Sequence, residues 1–236
     1  MRIFVAPEVL AAGELAVHGD EHHYLGRVRR ARVGDPVELV DGAGRRAAAT
    51  ITRMGATETV LTVEPPERIP AARPHVRALV PLIKGDRMDY LLEKLVEVGV
   101  DDIVLWTAAR AVVRLEPDRR DARIAKLGAA VQTAARQCGR AQLPEITWGG
   151  DLARTVAALP AGARFVLDPT ADAPLDGPAL AGADDVTVLS GPEGGLAPAE
   201  LEGLPGFVHV GLGPRVLRAE TAPVVAVALV RALTRS

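Results

Sequence analysis

The sequence predicts an α/β protein: a small β-rich module at the N-terminus, then a larger domain built on a parallel sheet. Three observations carry this. Residues 1–68 hold short β-type runs separated by Gly-Asp, Asp-Gly and Met-Gly-Ala turns, with no convincing helix. Val76 to Ile83 is nearly continuous apolar sequence, as a strand buried on both faces requires. Beyond it, short apolar runs alternate with stretches at helical spacing, the order that produces a parallel sheet.

The elements follow in order. In the first module the runs are Val37–Val40, Ala47–Thr52 and Thr59–Val63, spaced as in a small barrel or sandwich. Glu64–Pro74 contains four prolines and little that can pack, so it reads as a linker. The expected division is a β module over 1–68, a linker over 69–75 and the α/β domain over 76–236. After the first buried strand, Met88, Leu91, Leu92, Leu95 and Val96 recur at helical spacing. Ile103–Trp106 is the next strand. Residues 118–138 form a helix with Ile124, Leu127 and Val131 on one side. Phe165–Leu167, Val186–Leu189 and Phe207–Val210 are further short strands, and a helix over Glu220–Leu233 ends the pattern.

Composition bounds the function. Net charge is −2, so no uniform basic field marks a nucleic-acid partner, yet arginines crowd positions 27, 29, 30, 32, 45 and 46. Aromatics are only 3% of residues, too few for base-stacking platforms to dominate. Cys138 is the sole cysteine, which excludes a disulfide framework and fits a reducing cytoplasm. No signal-peptide pattern opens the chain, and the most apolar run, Pro223–Val230, is too short to span a bilayer. A membrane partner and a DNA partner are not expected. The histidines and acids show no ligand spacing, so no metal is expected.

Two segments carry the chemistry. Leu189-Ser190-Gly191-Pro192-Glu193-Gly194-Gly195-Leu196 directly follows a strand, where a glycine-rich turn lets a ligand approach the backbone. No Gly-Lys-Ser/Thr follows, so it is not a phosphate-binding Walker loop. The second is Val210-Gly211-Leu212-Gly213-Pro214-Arg215-Val216-Leu217-Arg218-Ala219-Glu220-Thr221-Ala222. Gly211 and Gly213 invite a dinucleotide-fold reading, which would make a nicotinamide oxidoreductase. It fails because Val216 occupies the third glycine position and Pro214 sits inside the turn. Glu220 and Thr221 stand where a helix start gains from an acid and a cap, and a functional role is equally open.

Together these segments resemble the signature loops of the SPOUT-class 16S rRNA (uracil-N3)-methyltransferases. The similarity extends through His22-His23-Tyr24-Leu25-Gly26-Arg27-Val28-Arg29-Arg30, Gly34-Asp35 and Asp41-Gly42. It continues at Lys84-Gly85-Asp86-Arg87-Met88-Asp89, at Lys94 with Glu97-Val98-Gly99-Val100, and at Gln137-Cys138-Gly139-Arg140 before Pro144-Glu145-Ile146. Arg29 and Arg136 depart from the family pattern, each by adding positive charge.

The resemblance implies a SPOUT α/β fold with a deep C-terminal trefoil knot, preceded by a PUA-like or OB-like β-barrel that binds RNA. It implies S-adenosylmethionine as cofactor, held by Leu167, Leu189, Gly191, Pro192, Gly194, Leu212, Gly213, Val216 and Leu217. Arg218 is the candidate for stabilising charge on the uracil oxygens, and Glu220 a candidate base, although a capping acid is the leading reading for Glu220. Arg27, Arg30, Arg45, Arg46, Lys84, Arg87 and Arg140 are the expected RNA contacts. The implied partners are 16S rRNA in the 30S subunit and a second copy of the chain, since Pro223–Val230 is apolar nearly all round and needs cover on more than one side. The alternatives are a SPOUT ribose 2′-O-methyltransferase and a non-catalytic RNA-binding assembly factor. The first usually has an asparagine-containing third loop, where this chain has Arg218-Ala219-Glu220-Thr221.

Overall fold

The structure, a computed structural model, describes residues 1–110 and 117–234. Two compact units emerge: Met1–Ala71 with Ala135–Leu143, and Ala72–Ala134 with Pro144–Ser236.

The first unit is a six-stranded sheet. Its strands are β1 (Arg2–Phe4), β2 (Gly13–His18), β3 (Pro36–Val40), β4 (Arg45–Met54), β5 (Glu58–Val63) and β6 (Glu67–Arg68). The hydrogen-bonded order is β1-β3-β4-β5-β2, with β6 pairing onto β4. Only β1 and β3 run parallel. Along β4, Ala47, Ala49 and Ile51 are buried while Arg46, Ala48 and Thr50 are exposed, the alternation of a strand with one covered face. The buried residues join Ile3, Val17, Leu25, Leu39 and Leu61 in one core.

Two readings of this region need correction. It does contain helix: α1 spans Gly19–His23 and a π-helical turn follows over Tyr24–Val28. Gly19 enters at φ +57, and Asp20 and Glu21 lie in the first turn, where carboxylates suit the helix dipole. His22 and His23 lie in the last turn of α1. The ring of His22 meets Thr59 at 2.9 Å through Nδ1, and His23 is exposed. The proline-rich stretch is also not structureless, because Glu67 and Arg68 pair with Arg46 and Arg45.

The second unit contains β7 (His75–Pro81), α2 (Asp86–Val98), β8 (Asp102–Thr107), α3 (Pro117–Cys138, whose last residues cluster with the first unit), β9 (Glu145–Asp151) and α4 (Leu152–Ala157). It continues with β10 (Ala163–Leu167), α5 (Gly177–Leu180), β11 (Asp185–Leu189), α6 (Pro198–Glu202), β12 (Val208–Val210) and α7 (Ala222–Leu233). The six strands form one sheet in the order β12-β10-β11-β7-β8-β9, and every pairing is parallel. Met88, Leu91, Leu92, Leu95 and Val96 of α2 are fully buried, as their spacing predicts.

The chain order differs from the spatial order in a way that matters. After β12 at one edge, the chain returns so that α7 packs on β7, β11 and α2 near the middle of the sheet. That return is the path a threaded C-terminal end needs. The helix starts at Ala222, two residues later than the sequence pattern implies. Pro223 lies in its first turn, where a fixed φ and a missing N–H are tolerated. No helix among the described residues is long and apolar enough to cross a membrane.

Arg231 anchors α7. Its guanidinium donates to the Gly99 carbonyl at 2.7 and 2.9 Å, to the Pro74 carbonyl at 2.6 Å, and to the Asp101 carboxylate. Gly99 caps α2 in the left-handed region at φ +98, and a Cβ there would stand 3.3 Å from Arg231 Nε. Replacing Arg231 by Ala leaves these buried acceptors without their cation. Arg231→Ala should lower unfolding stability by about 3 kcal/mol, read from urea denaturation.

Candidate functional site

The carboxyl ends of adjacent parallel strands form a crevice wherever the connections leave in different directions. Here Leu167 ends β10, Leu189 ends β11 and Val210 ends β12, and their following loops surround a cleft of about 680 Å³. That volume suits a small-molecule ligand.

The glycines of the two loops differ in what they permit. Gly211 has no room for a side chain: a Cβ would lie 2.5 Å from the Ala171 carbonyl oxygen. Its N–H donates to the Ala173 carbonyl at 2.8 Å, which locks the loop after β12 onto the loop after β10. Gly213 has open space around it but sits at φ +111, so backbone conformation is what it supplies. At Gly191 a Cβ would press on Leu196, at 3.2 Å from Cγ.

Charged groups line the cleft in a chain. Arg87, from the start of α2, pairs with Glu193 at 2.8 Å and approaches Glu220 at 3.9 Å. Arg218 approaches the other oxygen of Glu220 at 3.8 Å. The Arg218 side chain is 80% exposed, whereas Glu220 is only 6% exposed. Glu220 lies one residue outside the helix cap, and its Oε2 has no hydrogen-bond partner among the described residues. Thr221 rather than Glu220 occupies the cap position of α7, with Glu220 one residue before it. The buried carboxylate thus has a guanidinium facing each of its two oxygens.

A further charged group borders the cleft. Asp168 Oδ2 meets His209 Nδ1 at 2.9 Å, and Oδ1 accepts from the Thr170 hydroxyl at 2.7 Å. The His209 contact, then Thr170, holds the Asp168 carboxyl below its ordinary range.

The sequence-predicted residues divide clearly. Leu167, Gly191, Pro192, Leu212, Gly213, Val216, Leu217, Arg218 and Glu220 all line the cleft. Leu189 and Gly194 stand outside that lining. Leu189 is fully buried in the core that also holds Leu79, Trp106 and Val166. Gly194 faces Arg110, whose Nη1 donates to its carbonyl at 3.1 Å. Arg87, expected at RNA, lines the cleft instead. Lys84 is exposed beside the start of α2. In the first unit, Arg27 and Arg30 are exposed. Arg45 is engaged with Asp41: Nε donates at 2.6 Å to a buried carboxyl that burial would raise, but which the backbone and side-chain N–H groups of Arg45 hold low. Arg46 pairs with Glu67 at 2.5 Å, and Arg140 donates to the Gln142 carbonyl at 3.2 Å.

Sequence reasoning missed Ser190, Glu193 and Asp168 as parts of the cleft. Their signal is position alone: each stands at or just past the end of a parallel strand, or inside the first glycine loop.

These residues fit a ligand with both a neutral heterocycle and charged ends, as S-adenosylmethionine has. The walls include Leu196, Leu201 and Val210, the mouth carries both signs of charge, and two buried polar atoms, Ser190 Oγ and Glu220 Oε2, await partners. Among the described residues no cluster of His, Cys, Asp or Glu is placed to hold a metal ion.

Residues 71–231 match the family described as RNA methyltransferase domain, and residues 17–64 match the RNA methyltransferase PUA domain. Ribosomal RNA small subunit methyltransferase E of Mycobacterium bovis is 36% identical over 227 residues, covering 92% of this chain and 86% of its own. The protein of that name from Neisseria gonorrhoeae, solved bound to S-adenosyl methionine, superposes with a TM-score of 0.84 at 26% identity, covering 96% of this chain and 95% of its own. A Legionella pneumophila methyltransferase solved with bound SAM gives a TM-score of 0.84 at 26% identity, covering 98% and 96%.

The glycine geometry generates a test. Gly211→Ala forces the 2.5 Å contact with backbone and should displace the loop after β12. Binding of S-adenosylhomocysteine should weaken more than tenfold, roughly the effect of 1.4 kcal/mol or more. Gly213→Ala meets no atom and should weaken it less, which isothermal calorimetry on both variants would separate.

Proposed function

The chain belongs to the family of ribosomal RNA small subunit methyltransferases E, and from that premise we propose that it methylates N3 of a uridine in 16S rRNA, using S-adenosylmethionine. The observation that carries the chemical part of this reading is Glu220: a buried carboxylate between two arginines, whose Oε2 makes no hydrogen bond among the described residues, in a cleft at the strand ends.

N3 of uracil carries a proton and is a poor nucleophile until that proton leaves. Glu220 Oε2 is the proton acceptor in this reading. Arg218, exposed at the cleft mouth in the absence of RNA, closes on the uracil oxygens and favours the anion over the neutral base. Arg87 pairs with Glu193 and approaches Glu220 from its other side. The cofactor, when bound, supplies an electrophilic methyl group. Leu167, Gly191, Leu212, Gly213, Val216 and Leu217 would hold it in the cleft, and positioning the uracil against it would contribute to the rate.

RNA contact falls to the first unit and the cleft mouth. Arg27 and Arg30 are exposed and suited to phosphates, which orient the substrate without choosing the base. Arg45 and Arg46 are committed to carboxylates and contribute less. The outer side of α7 supports a homodimer. Val224, Val225, Ala228 and Leu229 remain partly exposed and Leu233 is 45% exposed, so an apolar stripe lacks cover within one chain. The cytoplasm, where ribosomal subunits assemble, is the site of action.

The decisive experiment is mass spectrometry of rRNA nucleosides from a strain lacking this protein, with and without its restoration. Loss and return of 3-methyluridine is expected, and its persistence in the deletion strain would sink the assignment. At the level of residues, Arg218→Ala should lower kcat roughly 10²-fold with a small rise in KM, and Arg218→Lys should recover only part of it. Glu220→Gln should lower the single-turnover rate on 30S subunits by about 10²-fold or more while cofactor still binds. Arg27→Ala should leave cofactor affinity intact and reduce the salt slope of RNA binding by about 1.

A further inference from the structure

Ser190 stands immediately after β11, where its N–H donates to the Leu79 carbonyl at 3.0 Å. Its backbone is thereby committed to the sheet. The residue lines the cleft, is only 2% exposed, and its hydroxyl oxygen has no hydrogen-bond partner among the described residues. Buried hydroxyls in folded proteins are nearly always paired, because water has been removed and nothing has replaced it. An unpaired one on the floor of a ligand cleft marks where a ligand atom completes the pair.

The surroundings indicate which part of the ligand. The charged side chains that line the cleft are Arg87, Asp168, Glu193, Arg215, Arg218 and Glu220. Ser190 itself carries no charge and is flanked in sequence by Leu189 and Gly191. Leu189 precedes it in the core, and Leu196 closes on Gly191. A neutral hydroxyl in apolar surroundings is a poor partner for an ionic group and a good one for a neutral nitrogen or oxygen. We infer that the Ser190 hydroxyl hydrogen-bonds the nucleoside half of S-adenosylmethionine and so acts as a cofactor-positioning residue. The inference rests on the reading of the cleft as the cofactor site.

The free protein and the complex should respond to its removal in opposite directions. In the free protein the Ser190→Ala change deletes an unsatisfied group, so the melting temperature should hold or rise. In the complex it deletes a hydrogen bond, so S-adenosylhomocysteine affinity should fall about three- to tenfold. The nucleoside assignment has its own probe. 5′-Methylthioadenosine keeps the nucleoside and lacks the amino-acid end, so its affinity should fall by the same factor.

Three results would overturn the inference. Unchanged S-adenosylhomocysteine affinity would mean that the hydroxyl has no ligand partner. A lower melting temperature in the free protein would assign it a structural bond. Loss of S-adenosylhomocysteine affinity with 5′-methylthioadenosine unaffected would move the contact to the amino-acid end. Failure of the wild-type protein to bind S-adenosylhomocysteine at all would instead refute the cofactor reading. Ser190→Val serves as a control for bulk: it removes the hydroxyl while filling the space, and should weaken both ligands at least as much as Ala.

Discussion

The architecture of the second unit depends on bringing the end of the chain back over the middle of the sheet. β12 lies at an edge, yet α7 must cover β7 and β11. Arg231 fixes that return by tying α7 to the Gly99 and Pro74 carbonyls and to Asp101. Because both ends of the connection are fixed, the loop between β12 and α7 has little freedom in where it runs. It passes over the strand ends and places Arg218 and Glu220 there. The cleft is thus a product of topology: three strand ends open it, and the returning chain roofs it.

That roof has an energetic cost. Glu220 Oε2 and the Ser190 hydroxyl are buried without a hydrogen bond among the described residues, which is unfavourable in a folded chain. The surrounding core bears the cost. Leu79, Trp106, Val166 and Leu189 are fully buried beneath the cleft, and each such side chain contributes about 1.5–3 kcal/mol by leaving water. Stability is supplied by the layer below, and unsatisfied polarity is kept for the layer where chemistry occurs. Gly211 marks the boundary, since its loop is held against backbone too closely for any side chain to intervene.

Much of this was readable from the residues, for identifiable reasons. The strand at Val76–Ile83 and the apolar face of α2 follow from period and burial, and local pattern encodes both. The two glycine loops were legible because glycine at such spacing has few other uses. The start of α7 was misplaced because Glu220 and Thr221 look like a helix entrance, and only the position of Pro223 in the folded helix shows that it begins later. α1 was missed because five residues are too few for a period to show. The roles of Arg46 and Arg87 were not legible either. Whether an arginine is free or committed depends on carboxylates distant in sequence, such as Glu193 for Arg87, and no local pattern records that. Ser190 was invisible as a separate feature for the same reason, since lacking a partner is a property of the fold.

The edges of the large sheet bear on how this protein associates. One edge strand, β12, is only three residues long, and the other, β9, pairs with a register shift between Leu105 and Trp106 of its neighbour. Short and irregular edges offer a poor template for another strand. Growth of the sheet from molecule to molecule is disfavoured on both sides, although its interior strands are strongly apolar. Self-association is steered toward helical faces, where contact is finite and closes on itself, and away from open-ended strand addition. A sheet that is crowded in the middle and blunt at its margins can concentrate apolar sequence without becoming a seed for fibres.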